Sequence, residues 1–484
     1  MARVPLPSVP GRLVEVEVLD ASRRGALEAV LVALPEGDAE LEPIAGVHPS
    51  GKAGEVKLVP GDPKVRWLVG VGKGKAEHYR AAGAALARAV DAYLEHDPVK
   101  SVQIALDEDA TTETAYELAM GAMLGGYQYK VTGEEPKPRL KTLRLIPRFE
   151  RAVPEFAEAV DRARELAAAA SLARDLANTP SNVKDPAWLA GTTERLVAGV
   201  AGLTATIRDE KWLAEQGFGG VLAVGGGSAS PPRLIELDYK PRGAVRHLLY
   251  VGKGITFDTG GLSIKPADGM HLMRTDMAGG GAVIAAVRAI AALGLKVRVT
   301  ALVPAAENHV SGSSYRPGDI VRHYGGKTTE VGNTDAEGRM VLADALAYGI
   351  KRFKPDAVVD VATLTGAMKV ALGLRTGGLF ASDDDLAARI TAAGEAAGEA
   401  WWRMPLLDAH VEAVKGELGD VKQTPGGPGG ITAALFLREF TGGVPWAHLD
   451  IAGPARADRT YADVVPGGTG FAARTLVELA AAYA

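Results

Sequence analysis

Cysteine is absent from this chain of 484 residues. Its absence excludes disulfides, thiolate metal sites and a cysteine nucleophile together. Histidine is scarce, with nine residues, and no two of them stand in a His-x-x-x-His pair. A zinc site built on histidine is therefore not expected. Any metal chemistry in this chain has to use oxygen ligands and amine nitrogen.

Long hydrophobic runs and strong net charge are also missing. The first residues contain no apolar core typical of a secretory signal. No run reaches the ~18 apolar residues that a membrane helix requires, and the longest candidate, from Ala282, is interrupted by Arg288. A net charge of −5 gives no general attraction to phosphate backbones. These absences predict a cytoplasmic enzyme with neither a membrane nor a nucleic-acid partner.

The length predicts more than one domain, since single cores rarely extend over this many residues. The first 150 residues or so alternate strand and helix patterns, and a long helix begins near Pro154. We therefore predict an N-terminal α/β domain at 1–160, a linker helix at 161–180 and a second domain at 181–484.

The second domain contains several short apolar runs that are continuous rather than alternating, which is typical of strands buried on both faces of a sheet. The predicted strands lie at 220–224, 234–237, 247–251, 297–303 and 357–362. In sheets of this kind, ligands bind beyond the carboxyl ends of the strands. Lys253, Glu307 and Thr363 follow such ends, so we expect the chemistry there.

Four carboxylates lie in glycine-rich loops between residues 251 and 339: Asp258, Asp276, Asp335 and Glu337. Packed together without cations, they would repel one another and some would remain protonated. Two divalent cations would neutralise all four. Oxygen ligands with some amine nitrogen suit zinc, manganese, magnesium or cobalt.

Three cationic residues accompany these carboxylates. Lys253 could act as a ligand only as a neutral amine, with its pKa lowered by a neighbouring cation. Lys265 and Arg339 have the chemistry of donors to a developing oxyanion. Asp335 and Glu337 are two residues apart, so they converge only in a turn, for which Gly338 offers backbone freedom.

Other catalytic patterns are weaker. The segment 181–184 places a lysine three residues after a serine, as in some serine nucleophiles, but a helix cap is the favoured interpretation. Residues 326–328 read Gly-Lys-Thr, yet Val321 stands where a phosphate-binding loop requires glycine. No serine lies in a Gly-x-Ser-x-Gly sequence.

The heptapeptide Asn-Thr-Asp-Ala-Glu-Gly-Arg at 333–339 resembles the signature of the leucyl aminopeptidase family, the dinuclear cytosol aminopeptidases. Further motifs that resemble this family lie at 173–180, 251–258, 318–321, 362–367, 431–434 and 446–454. The resemblance extends from about Ala173 to the end of the chain. The N-terminal third is similar in its strand–helix order, and the loop at 423–430 departs most from the family pattern.

The resemblance implies an α/β fold of two domains, an N-terminal macro-like α/β domain and a C-terminal mixed-sheet metallopeptidase domain. The family usually assembles as a homohexamer. The implied metal ligands are Lys253, Asp258, Asp276, Asp335 and Glu337. In the family pattern Asp258 and Glu337 contact both ions, Asp335 contacts one, and Lys253 and Asp276 contact the other.

The resemblance also assigns catalytic positions to Lys265 and Arg339, and in this family the arginine can hold a bicarbonate that acts as general base. Residues at the substrate-binding positions of the family are Met273, Thr363, Leu364, Gly366 and Ala452. The Leu364 carbonyl takes the position that meets the substrate amine.

Together these features imply a metal-dependent aminopeptidase that releases leucine-like or other apolar N-terminal residues from peptides. Its cofactors would be two Mn²⁺ or Zn²⁺ ions, and a bridging hydroxide would attack the scissile carbonyl. Two alternatives stay open. One is a DNA-binding or regulatory role, and the other is a dinuclear amidase or phosphatase that needs no free α-amine.

Overall fold

The computed structural model describes residues 6–35, 41–61, 64–94, 101–134, 137 and 139–484. The chain forms two compact units. One contains Met1–Ser171 and Asp458–Pro466, and the other contains Leu172–Ala457 and Gly467–Ala484. The boundary falls within one long helix, Val153–Asn178, inside the range 161–180 that the sequence analysis assigns to a linker.

The first unit contains a six-stranded sheet of order β1-β6-β5-β2-β4-β3, parallel except for β3. Its strands are β1 (Glu15–Val18), β2 (Leu27–Ala33), β3 (Val56–Leu58), β4 (Val65–Gly72), β5 (Ser101–Ala105) and β6 (Thr142–Ile146). Its helices are α1 (Ala76–Tyr93), α2 (Thr112–Gly125) and the first part of α3 (Val153–Asn178).

Helices α1 and α2 approach each other closely because glycine stands at their contact. A Cβ atom on Gly83 would lie 2.2 Å from the Leu118 carbonyl oxygen, and one on Gly121 would lie 2.0 Å from the Arg80 carbonyl oxygen. The Arg80 guanidinium donates to both Glu117 carboxylate oxygens, at 2.5 and 2.6 Å. A buried charge pair of this kind requires such complete hydrogen bonding.

The second unit is built on a nine-stranded mixed sheet of order β16-β15-β18-β14-β9-β11-β8-β7, with β10 paired to β11. Its strands are β7 (Leu203–Arg208), β8 (Arg233–Tyr239), β9 (His247–Gly252), β10 (Gly254–Asp258), β11 (Arg298–Asn308), β14 (Ala357–Ala362), β15 (Thr376–Ala381), β16 (Ala400–Arg403) and β18 (Trp446–Asp450). Strands β14 and β18 are buried throughout, and β9 is buried except at His247.

Two small sheets complete the second unit. Their strands are β12 (Ile320–Arg322), β13 (Thr328–Glu330) and β17 (Val421–Lys422) in one, and β19 (Arg456–Ala457) with β20 (Gly467–Gly468) in the other. The helices are α4 (Pro186–Val197), α5 (Glu210–Gln216), α6 (Gly219–Gly225), α7 (Ala278–Ala292), α8 (Glu337–Phe353), α9 (Gly366–Leu372), α10 (Asp384–Ala397), α11 (Val411–Val414), α12 (Gly429–Arg438) and α13 (Ala473–Ala481).

One predicted strand is wrong. Residues 220–224 belong to helix α6, not to the sheet. A short apolar run has no period that separates a buried helix from a buried strand. The helix lies close to β12 and α8, since a Cβ atom on Gly219 would be 2.0 Å from the Arg322 carbonyl oxygen and one on Gly220 would be 2.4 Å from the Met340 carbonyl oxygen. Tertiary packing therefore decides the conformation of this run.

The segment Met270–Ala292 is apolar and long enough to cross a membrane by length and composition alone. In the fold, 89% of its most apolar window is buried inside the protein. Most of it is helix α7, which packs on strands β9, β11 and β14. It is a core helix of the second unit.

A fully buried aspartate joins three elements on one face of the large sheet. Asp344, on α8, accepts hydrogen bonds from the Val221 amide, the Tyr324 amide and the His323 Nδ1 atom, each at 2.9 Å. It thereby connects α8 to α6 and to the β12–β13 hairpin.

Replacement of this aspartate should destabilise the second unit. We expect Asp344→Ala to lower the free energy of unfolding by about 3 kcal/mol, because three buried donors lose their acceptor. Urea unfolding measures the change. Asp384→Ala, at an exposed ion pair with Arg403, should change it by less than about 1 kcal/mol. Equal effects of the two substitutions would contradict the role of Asp344.

Candidate functional site

Five neighbouring strands, β18, β14, β9, β11 and β10, run parallel, so their carboxyl ends meet at one edge of the sheet. The residues at or just after these ends are Asp450, Thr363, Lys253, Asn308 and Asp258. This is the edge at which such sheets bind ligands. The sequence analysis expected Lys253 and Thr363 there.

The expectation for Glu307 is wrong. Strand β11 continues through Asn308, so Glu307 lies within the strand. Its carboxylate accepts a hydrogen bond from the Ser228 hydroxyl at 3.1 Å. The residue that reaches the site from this strand is Asn308, because side chains alternate between the two faces of a strand.

Lys253 lies between the carboxylates of Asp276 and Glu337 and is 3% exposed. Its Nζ atom is 2.9 Å from Oδ1 and Oδ2 of Asp276 and 2.8 Å from Oε1 of Glu337. It also donates to the Thr363 carbonyl oxygen at 2.9 Å. The ammonium group therefore neutralises two carboxylates that come from different segments of the chain.

Lys265 lies in the same way between the carboxylates of Asp258 and Asp335. Its Nζ atom is 2.8 Å from Oδ2 of Asp258 and 2.5 Å from Oδ1 of Asp335. One ligand oxygen from each of Asp258, Asp335 and Glu337 lies within 4.8 Å of the others. The fold thus brings all four predicted carboxylates together with both predicted lysines.

The segment 333–336 forms a turn, and helix α8 begins at Glu337. Asp335 and Glu337 converge through this change from turn to helix, as the sequence predicts. Gly338 has a different role from the one predicted, since its backbone is helical. A Cβ atom at this position would lie 2.7 Å from Cε of Lys253, so the glycine leaves room for the lysine.

Arg339 follows in the first turn of α8 and is buried. Its Nη1 atom donates to the carbonyl oxygen of Gln423. Burial lowers the pKa of Arg339 to about 10, against the attraction of Glu337 and Asp450. The guanidinium remains positively charged at neutral pH.

The site changes the pKa values of its charged groups. Burial alone would lower the pKa of Lys253, but Asp276, Glu337 and Asp258 raise it above its usual value. Burial raises the pKa of Asp276 well above its usual value, although Lys253 opposes the change. Without cations, the lysines of the cluster therefore retain their protons, and burial favours the protonated forms of Asp258, Asp276 and Asp335 by raising the pKa of each.

The donor set fits divalent cations. Oδ2 of Asp276, Oδ1 of Asp335 and Oε1 of Glu337 are buried, and each has no hydrogen-bond partner among the described residues. Each forms an ion pair with a lysine Nζ atom, at 2.5 to 2.9 Å. Carboxylate oxygens as close together as those of Asp258, Asp335 and Glu337 are suitable ligands for hard or borderline cations.

The residues predicted to line the substrate pocket are connected to this cluster. The Thr363 hydroxyl donates to Oδ1 of Asp276 at 2.6 Å, and the Asp276 amide donates to the Met273 carbonyl at 3.1 Å. Gly366 begins α9, and a Cβ atom there would meet nothing within 4 Å. The backbone amides of Leu364 and Ala452 both donate hydrogen bonds to the Asp450 carboxylate.

Asp450 was not predicted as a functional residue, although it lies in the motif at 446–454. It is 1% exposed. It accepts hydrogen bonds from the amides of Leu364, Thr365 and Ala452 at 3.1 to 3.2 Å. The Thr365 hydroxyl donates to it at 2.7 Å. One carboxylate thus connects the segment of Leu364 and Thr365 with that of Ala452.

Asn308 is a second residue that the sequence analysis missed. Its Nδ2 atom donates to Oδ1 of Asp258 at 2.8 Å and to the Thr334 carbonyl at 3.0 Å. It therefore connects the loop of Asp258 with the turn of Asp335. Its position at the end of a buried parallel strand was the available signal.

The serine–lysine pattern at 181–184 does not form a nucleophile. Lys184 is fully buried, and its Nζ atom donates to the carbonyl oxygens of Leu176, Ala177 and Arg274 at 2.6 to 3.0 Å. The cap of helix α4 is Asp185, which accepts from the Trp188 amide. Ser181 is therefore not the cap residue of this helix.

Comparison with known proteins identifies the family. Residues 171–477 match the Cytosol aminopeptidase family, catalytic domain, and residues 42–133 match its N-terminal domain. The chain belongs to the cytosol aminopeptidase family. This is a family of metal-dependent exopeptidases, which agrees with the acidic cluster at the sheet edge.

Individual relatives are similar along most of the chain. A probable cytosol aminopeptidase of Syntrophotalea carbinolica is 44% identical over 398 residues, which cover 80% of this chain and 79% of that protein. A probable cytosol aminopeptidase of Streptomyces avermitilis is 43% identical over 484 residues, covering 96% of this chain and 91% of that protein.

Solved structures show the same fold. The bottromycin maturation enzyme BotP in complex with Mn has a TM-score of 0.84 to this chain at 39% identity. The superposition covers 95% of this chain and 99% of that chain. The two-domain α/β fold of the cytosol aminopeptidase family, expected from the sequence, is thereby confirmed.

The contacts of Asp450 predict a change in substrate affinity. In Asp450→Asn one carboxylate oxygen becomes an amide NH2 group, which donates and cannot accept from the backbone amides. We expect KM for apolar substrates to rise about tenfold, which corresponds to the loss of about 1.4 kcal/mol, with no change in metal affinity. Steady-state kinetics measure KM and kcat separately. Asp344→Asn, another buried aspartate with amide donors, is the matched control and should leave KM unchanged.

Proposed function

We propose that this chain is a dinuclear metallo-aminopeptidase that releases N-terminal amino acids, preferably leucine-like or other apolar ones, from peptides. The observation that carries the proposal is the cluster of four carboxylates, three buried and Asp335 half-buried, around two lysines at the carboxyl edge of the parallel strands. Membership of the cytosol aminopeptidase family supports it.

The proposed metal ligands are those that the family resemblance assigns: Lys253, Asp258, Asp276, Asp335 and Glu337. These five side chains would together hold two divalent cations. Two bound divalent cations, Mn²⁺ or Zn²⁺, supply Lewis acidity for the scissile carbonyl and lower the pKa of water, so that hydroxide is available at neutral pH.

Lys265 is proposed to donate a hydrogen bond to the oxygen of the scissile carbonyl. Burial acts to lower the pKa of Lys265, but Asp258, Glu337 and Asp335 raise it above its usual value. The side chain is therefore a cation at neutral pH, and it is 20% exposed. A positive donor that is partly accessible suits the stabilisation of a developing oxyanion.

Arg339 is proposed to bind an anion such as bicarbonate and to direct the proton toward the leaving amine. Its Nε atom is buried and has no hydrogen-bond partner in the part of the chain that the structure describes. A charged donor in this state is unsatisfied without a ligand. This supports an anion-binding role for the arginine.

The substrate is proposed to bind along the loops that Asp450 holds. The Leu364 carbonyl would accept from the free α-amino group of the peptide, and Met273, Thr363, Gly366 and Ala452 would line the pocket of the first side chain. An amine anchor of this kind explains exopeptidase action, because an acylated N-terminus cannot donate in the same way.

A homohexamer, a cytoplasmic location and a macro-like fold of the first unit complete the proposal. The names of the relatives, probable cytosol aminopeptidases, support the location. The six-stranded, mainly parallel sheet of the first unit is compatible with a macro-like domain.

Two matched substrates test the activity. After chelation, we expect no turnover of leucyl-p-nitroanilide, and addition of Mn²⁺ or Zn²⁺ should restore it. N-acetyl-leucyl-p-nitroanilide should stay uncleaved with either metal, because its amine is blocked. Release of p-nitroaniline measures both. Cleavage of the acetylated compound would favour an amidase instead, and no turnover of either compound with any metal would overturn the proposal.

Loading of the metals should release protons. Lys253 is an ammonium group in the metal-free cluster, since its pKa is raised, and it has to become neutral to act as a ligand. Metal affinity should therefore rise with pH and fall as pH decreases.

Calorimetry in two buffers of different ionisation enthalpy measures the number of protons released. We expect Lys253→Met to release about one proton fewer per subunit than the unmodified chain at the same pH. The same number of protons in both would show that Lys253 is not a ligand.

A further inference from the structure

Gln423 lies immediately after strand β17, at the start of the loop at 423–430 that departs from the family pattern. Its side chain has no exposed surface. Burial of an amide without partners would cost a few kcal/mol. The contacts of this side chain are therefore informative about its role.

The side chain closes the turn that carries Asp335. Its Oε1 atom accepts hydrogen bonds from the amides of Gly332 and Asn333, both at 3.0 Å. Its Nε2 atom donates to the Ala336 carbonyl oxygen at 3.1 Å. Because these partners lie on both sides of Asp335, a single amide fixes the two ends of the turn.

The main chain of Gln423 also forms hydrogen bonds, to Arg339 in helix α8 and to Glu330 in strand β13. Its carbonyl oxygen accepts from Nη1 of Arg339, and its amide donates to the Glu330 carbonyl at 3.0 Å. The next residue, Thr424, comes so close to the turn that a Cβ atom on Gly332 would lie 2.2 Å from its hydroxyl. Strand β13, the turn and the start of α8 therefore all contact this one position.

We propose that Gln423 is a positioning residue that holds Asp335, Glu337 and Arg339 in the arrangement needed to bind the two cations. The proposal rests on the function proposed above and adds a residue that does not itself contact metal or substrate. Partners that orient metal ligands commonly change affinity when they are replaced.

A primary amide has both hydrogen-bonding groups that this turn requires. The turn offers two N–H groups that need an acceptor and one carbonyl that needs a donor, and a glutamine side chain supplies both. A glutamate would lack the donor for Ala336, and an asparagine would be one methylene shorter. Methionine has a similar length but offers neither strong group.

Gln423→Met is the test variant, and Gln103→Met is its matched control. Gln103 is a buried glutamine of the first unit, 1% exposed. It accepts from the Arg23 amide and donates to Oε1 of Glu28, both at 2.9 Å. Both variants remove a buried amide of the same kind, but only one of these amides contacts the turn.

The first readout requires no metal. Hydrogen exchange of peptides covering residues 332–339 should become faster in Gln423→Met and stay unchanged in Gln103→Met, because only the former loses the acceptor for two turn amides. Unchanged exchange in the former variant would overturn the proposal, whatever the activity of the protein.

The second readout is affinity for Mn²⁺, measured by titration against a chelating dye. We expect Gln423→Met to bind Mn²⁺ about 10- to 100-fold more weakly, and kcat to fall more than KM rises, while Gln103→Met matches the unmodified chain. Equal Mn²⁺ affinity in all three proteins would contradict the positioning role.

If Gln423→Met does not fold, Gln423→Asn replaces it with the same expected direction in both readouts. If the unmodified chain binds no Mn²⁺ and cleaves no peptide, the proposed function fails. In that case hydrogen exchange still decides whether Gln423 holds the turn.

Discussion

The packing of four carboxylates, three buried and Asp335 half-buried, beside two ammonium groups is the interaction on which the second unit depends. Charges of one sign cannot be buried together without partners, and the cost of several kcal/mol per ion has to be offset by close opposite charges. Lys253 and Lys265 supply these charges in the metal-free state. The cluster is stable only if every group is held where its partner lies.

This requirement explains several features of the surrounding fold. The five parallel strands end at one edge, so that residues distant in sequence meet there. Gly338 leaves space for the Lys253 side chain at the start of α8. Neutral hydrogen-bonding side chains, Asn308 and Gln423, then fix the loops that carry the acids. The acids are thereby oriented by groups that add no charge.

The protonation state of Lys253 and Lys265 links the metal-free structure to the proposed reaction. In the metal-free protein each ammonium group occupies the space between two carboxylates, and the high negative charge raises both lysine pKa values. Lys265 retains its positive charge in the proposed mechanism, whereas Lys253 exchanges a proton for a cation. Two residues of the same type thus have different tasks because their surroundings differ.

The sequence by itself indicated the four carboxylates and two lysines that the fold brings together, and the strand that precedes Lys253. Acidic and basic residues in glycine loops after continuous apolar runs are visible without coordinates, and the heptapeptide at 333–339 indicated the family. Only the tertiary structure decided that residues 220–224 form a helix, that Glu307 stays outside the cluster, and that Asn308, Gln423 and Asp450 hold its loops. The physical reason is that charge and hydrophobic pattern are local properties, whereas hydrogen bonds between residues about 90 positions apart, such as Gln423 with Gly332, exist only in the folded chain.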